Sequence, residues 1–135
     1  MSARRADVAC GALLATLLSL SSAAADHPDK ALVERGKQTY EQWCTPCHGP
    51  GPGSRGPLLP GTYGLQIKYR GTKPALLEDR NDLPEPVLRI FVRRGAWSMP
   101  GFRKTEVTDE QIAAIAAYLK ERSKKPRSVV GTGAP

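Results

Sequence analysis

The chain has 135 residues, and 20 Lys and Arg against 13 Asp and Glu give it a net charge of +7. That length suits one small domain, whose core is only marginally self-sufficient. The positive balance favours acidic proteins, nucleic acids or membrane surfaces as partners, but the charges are spread along the chain without a base-stacking motif, which argues against nucleic acid.

At the N-terminus, Arg4 and Arg5 precede an apolar run over residues 11–20 that ends in "SSAAAD". This is the pattern of a cleaved export signal, residues 1–25, with the cut after Ala25. The run is too short for a permanent membrane helix and no second one follows. The expectation is therefore a protein of the periplasm with no permanent membrane anchor. Asp7, and the lack of a bulky pair after the arginines, favour general export over the twin-arginine route. Cys10 precedes the apolar run, whereas a lipid-modified cysteine would follow it, so it is discarded with the signal. The remaining chain holds Cys44, Cys47, His27, His48 and Met99 as its whole complement of Cys, His and Met.

From residue 29 to 43, "DKALVERGKQTYEQW" spaces Leu32, Val33, Gly36, Tyr40 and Trp43 for one helical face and predicts a helix that ends at Cys44. "GPGPGSRGP" carries too much Gly and Pro for helix or strand and reads as a loop. Segment 62–82 has no clear period and suggests one helical turn over 74–78. "LPEPVLRIFVRRG" has Pro near its start, Gly after its end and an apolar stripe of Val87, Leu88, Phe91 and Val92, predicting a helix that ends at Gly95. Thr108 and Gln111 fit a capping box, and Ile112, Ile115, Ala116 and Leu119 extend a helix over 109–121. The stretch 124–135 reads as a disordered basic tail. No strand pattern appears, so the class is all-α.

Cys44-Thr45-Pro46-Cys47-His48 admits four readings. A disulfide would close a loop too small to give much stabilisation. Zinc needs four ligands in a closed shell, and the chain offers these three adjoining residues and the distant His27. A thioredoxin-like dithiol belongs at a helix start after a strand, but here the pair follows a helix. Covalent haem attachment fits: two thiols so spaced add across the two porphyrin vinyl groups, and the next imidazole faces the iron.

His48 would then fill one axial position. Met99, in "GAWSMPGF", is the expected second ligand, since Pro100 fixes the backbone beside it and no other methionine remains. His27, beside the new N-terminus, is the fallback. Around Met99, the residues Ala96, Trp97, Pro100 and Phe102 read equally well as an apolar rim where the haem edge is approached or as packing around the porphyrin.

"CTPCH", "RGPLLPG", "RRGAWSMPGF" and "TDEQIAAIAAYLKE" together resemble the class I cytochromes c, over residues 30–121 of a domain spanning 26–123. The resemblance implies a small fold of three to five short helices around one covalently bound haem c. It implies that the first and last helices cross near Gly36 and Tyr40 on one side and Ile115 and Tyr118 on the other. It also implies that the Pro57 carbonyl accepts the Nδ1 proton of His48. The stretch "KYRGTKPALLEDRNDLPEPVLRIFVRRGAWSMPGF" is similar, more narrowly, to the cytochrome subunits of flavoprotein hydroxylases that act on para-alkylphenols. Segment 62–82 is longer than in the p-cresol type. That likeness implies an electron-transfer subunit rather than an enzyme in its own right, with a flavoprotein (FAD) donor and a downstream electron-acceptor protein. The other readings are a free-standing cytochrome that shuttles electrons, and a thiol oxidoreductase using Cys44 and Cys47.

Overall fold

The computed structural model describes residues 29–52 and 58–125. The export signal, His27, Pro57 and residues 126–135 lie outside them. Five α-helices carry the described chain: α1 Lys30–Trp43, α2 Thr45–His48, α3 Pro60–Tyr69, α4 Glu85–Arg94 and α5 Asp109–Arg122, with a 3₁₀ turn at Leu77–Asp79. Among the described residues there is no strand, only an isolated antiparallel bridge between Ala96 and Met99. None of these helices is long and apolar enough to cross a membrane.

The two end helices form the scaffold. The Asp29 side chain caps α1 by accepting from the Ala31 N–H at 3.0 Å. At the start of α5, Thr108 Oγ1 accepts from the Gln111 N–H and Gln111 Oε1 from the Thr108 N–H, completing the expected capping box. The helices cross where Gly36 lets the backbones touch: a Cβ there would lie 1.9 Å from the Ala114 carbonyl oxygen. Tyr40 and Tyr118 pack beside the crossing with ring centroids 5.5 Å apart, and Ile112, Ile115 and Leu119 are buried with them. The crossing thus falls at the residues expected for it.

Helix α4 packs against α5, burying Leu88 and Val92 while Val87 stays half-buried and Phe91 exposed, so its inward stripe is narrower than the sequence pattern. The middle of the chain departs most from expectation. Pro60–Tyr69 is a ten-residue helix where no helix was predicted, and the predicted turn over 74–78 falls instead at Leu77–Asp79. Side chains staple this region down. Arg80 is buried, forks onto Asp82 with two 2.8 Å bonds and lies 4.8 Å from the Tyr69 ring centroid. Tyr118 donates to the buried carboxylate of Glu78, and burial first, then that partner, push the tyrosine pKa up.

Candidate functional site

Two arms leave the scaffold. The first begins where α1 stops: Cys44 is its C-cap, donating its backbone N–H to Tyr40, and α2 starts at once with Pro46 in its first turn. Cys44, Cys47 and His48 therefore share one and a half helical turns, joined by Cys47 and His48 N–H bonds to the Cys44 carbonyl at 3.1 and 2.8 Å. Both cysteines are free thiols, Cys44 half-buried and Cys47 exposed. Burial, and then Cys47 beside it, push the Cys44 thiol up to about 12. A thiol-exchange nucleophile needs the opposite. His48 is half-buried, and burial lowers its pKa, which keeps the imidazole neutral and able to offer a lone pair to a metal.

The wall behind His48 is the first turn of α3. A Cβ on Gly61 would lie 2.8 Å from both Cε1 and Nδ1 of the imidazole and 2.9 Å from the Cys47 carbonyl oxygen, so only glycine fits. Next to it, buried Thr62 donates its hydroxyl to the Gly49 carbonyl at 2.8 Å, fastening the residue after His48 to α3. Gly61 closes the "RGPLLPG" stretch, but neither its role as a wall nor Thr62 was singled out from the sequence. His48 Nδ1 is buried without a hydrogen-bond partner among the described residues; its expected acceptor, Pro57, lies outside them.

The second arm carries Met99. Helix α4 stops at Gly95, whose φ of +70° belongs to the region that glycine adopts without penalty. Ala96 and Met99 then exchange both backbone hydrogen bonds, 3.0 and 2.9 Å, closing a tight turn with Trp97 and Ser98 at its tip. The arm is tied back to α4: the Phe102 N–H reaches the Val92 carbonyl at 2.7 Å, and Arg93 donates to the Phe102 carbonyl and to Asp109. Met99 itself is half-buried.

The end of the scaffold helix α1 meets the second arm. The Trp43 ring, next to Cys44, meets the Phe102 ring edge-on at 5.8 Å, three residues after Met99. Phe102 is half-buried against the core, while Trp97 is 99% exposed. The four residues expected to act alike around Met99 divide between core and surface.

The donor set suits a covalently bound haem: two thiols on one helical turn, a neutral imidazole against a glycine wall and a thioether on a rigid turn. Tyr63, Ile67, Ile90 and Phe91 remain 41–56% exposed on α3 and α4, apolar surface of the kind that a flat macrocycle covers. Among the described residues no three His, Cys, Asp or Glu side chains cluster to hold a metal ion.

Comparisons with known proteins agree. Residues 31–119 match the family described as cytochrome C oxidase, cbb3-type, subunit III. The chain is 34% identical over 84 residues to the 4-cresol dehydrogenase [hydroxylating] cytochrome c subunit of Pseudomonas putida, covering 62% of this chain and 57% of that one. It is 29% identical over 100 residues to a nicotinate dehydrogenase subunit of Pseudomonas putida KT2440, covering 67% of this chain and 7% of that one. The match thus spans little more than half of the first relative and a small part of the second. No solved structure matches.

Proposed function

The chain belongs to the cytochrome c family described as cytochrome C oxidase, cbb3-type, subunit III, and from that premise we propose that this c-type cytochrome is the exported electron-transfer subunit of a flavocytochrome. It takes single electrons from the flavin of a partner dehydrogenase acting on para-alkylphenols and passes them to a downstream carrier in the periplasm. The likeness to a 4-cresol dehydrogenase subunit supports this class of partner. Likeness to a nicotinate dehydrogenase subunit supports a dehydrogenase more broadly.

In this reading Cys44 and Cys47 would hold one haem c through thioether bonds, and His48 and Met99 would offer its iron an imidazole nitrogen and a thioether sulfur. Bound there, it supplies one-electron chemistry at iron, and a thioether ligand favours the ferrous state over a second imidazole. The chain's own task is positioning. Gly61 and Thr62 hold the imidazole side, the Nδ1–H would donate to the Pro57 carbonyl expected from the resemblance, and the Ala96–Met99 turn would present the sulfur. The observation that supports the reading is the Trp43–Phe102 contact, which packs the end of α1, next to Cys44, against the segment that follows Met99.

Visible spectra of the purified protein and of Met99→Leu test it. The expected wild type keeps a sharp reduced α-band after acid-acetone extraction and has a weak far-red sulfur band when oxidised. Met99→Leu keeps the first and loses the second. A colourless protein would sink the reading.

A further inference from the structure

Trp97 is almost completely bare, 99% exposed, at the tip of the Met99 turn. Its φ is +55°, a left-handed conformation that is unfavourable for a bulky residue and persists only where the surroundings impose it. Here the surroundings do: the paired Ala96–Met99 hydrogen bonds and the Phe102 and Arg93 ties to α4 hold the turn on both sides. The fold therefore spends strain to present a large apolar ring on a rigid mount and gains no packing from it. Tyr63, Ile67, Ile90 and Phe91 are different, lying on helix faces and partly covered.

The chain on either side of Trp97 is net positive. From Arg89 to Asp109 the chain carries five cations and two carboxylates. Asp109 is engaged by Arg89, Arg93 and Lys104 together, and Glu106 by Arg103. The side chains of Arg103 and Lys104 are nevertheless 80% and 74% exposed, so their outer faces look to solvent. An exposed aromatic ring on a segment that carries exposed cations complements an apolar surface that carries carboxylates. A second copy of this chain would bring the same positive segment against itself.

We propose that Trp97 is the docking anchor of this cytochrome, seating in an apolar, carboxylate-rimmed, flavin-bearing face of its electron donor. The proposal rests on the flavoprotein reading above and supplies the contact that reading leaves open. Docking makes and breaks no covalent bond: one electron leaves the reduced flavin, and one reaches ferric iron.

The test uses holo-protein and flavodoxin, an acidic protein with an exposed flavin edge, with free lumiflavin as a donor that has no protein surface. Titration with oxidised flavodoxin at low salt is followed at the indole N–H signals of the two tryptophans. Trp97 is expected to shift, while Trp43, packed on Phe102, serves as the internal reference. In stopped flow, Trp97→Ala is expected to lower the rate constant for flavodoxin hydroquinone about tenfold, as loss of an aromatic hot spot does. It leaves the rate with reduced lumiflavin and the far-red band unchanged. Trp97→Phe keeps part of the flavodoxin rate, and Arg103→Glu with Lys104→Glu removes its dependence on salt.

Equal flavodoxin rates for wild type and Trp97→Ala, a Trp97 signal that does not move, or equal losses with both donors would overturn the anchor and leave the electron-transfer reading standing. Self-association of wild type that vanishes in Trp97→Ala would overturn it in favour of a second copy. Failure of either flavin to reduce the wild-type haem would instead bring down the flavoprotein reading itself.

Discussion

The α1–α5 crossing and the two arms are built on opposite terms. At the crossing, protein packs on protein: Gly36 against the Ala114 carbonyl, Tyr40 on Tyr118, and Ile112 and Leu119 at 0% and 1% exposure. In the arms, polar and apolar groups wait for something else. His48 Nδ1 has no partner among the described residues, Cys47 is exposed and Trp97 stands in solvent. The crossing is complete as a chain, whereas the arms are complete only with a cofactor and, in the docking proposed above, a partner. Substitutions at the crossing should therefore cost stability and leave the haem chemistry in any surviving protein intact, whereas substitutions in the arms should show in the haem signature, whatever they also cost in stability.

The sharpest break is at the crossing. Gly36→Val would put carbon where backbone already is, 1.9 Å from the Ala114 oxygen, and neither helix can move without uncovering the tyrosine pair. The expected loss is upward of about 3 kcal/mol, the large end of overpacking, read as a fall in the guanidinium midpoint or as failure to accumulate. An unchanged midpoint would mean that the crossing is not the scaffold. Thr62→Val is the next step down and lies in the arms. It leaves the buried Gly49 carbonyl without its hydroxyl donor at a cost of about 1–3 kcal/mol. Because the fastened residue follows His48, the change should also broaden the axial-imidazole signature in low-temperature electron paramagnetic resonance. Thr62→Ser should restore both.

The same division explains what could be read from the sequence. Helix α5 announces itself because its cap and its apolar period are local: Thr108 and Gln111 bond each other, and Ile112, Ile115 and Leu119 recur on one face. The Cys44–His48 motif is legible for another reason, since its spacing is dictated by the cofactor chemistry rather than by this fold. Helix α3 was not legible. It contains Gly61 and Gly64 and lacks an apolar stripe, so local propensity argues against it; what holds its first turn in place is tertiary, the Thr62–Gly49 bond and the close approach of Gly61 to His48. Phe102 was open to two readings because its ring partner, Trp43, is far away in the chain. Trp97 hides its left-handed backbone, since nothing in Ala-Trp-Ser marks a turn that usually takes glycine or asparagine.

The smallest expected effect concerns the tie between the Met99 arm and the scaffold. Asp109, at the start of α5, meets Arg93 at 2.7 Å, Arg89 at 2.5 Å and Lys104 at 3.0 Å. Arg93 foremost, and then Lys104, hold its carboxyl down at about 2, below its ordinary 3.8. A carboxyl depressed by folding favours the folded state above the unfolded value, and that advantage disappears as pH falls through the folded value. Wild type should thus melt slightly above Asp109→Asn at every pH over 4, and the gap should close between pH 4 and pH 2. Arg93 still donates to the Phe102 carbonyl in the variant, so the far-red sulfur band should survive at neutral pH. If that band were lost in Asp109→Asn while the melting temperature held, the ion pairs would be setting the Met99 turn itself. The arms would then depend on the scaffold more closely than the backbone ties alone imply.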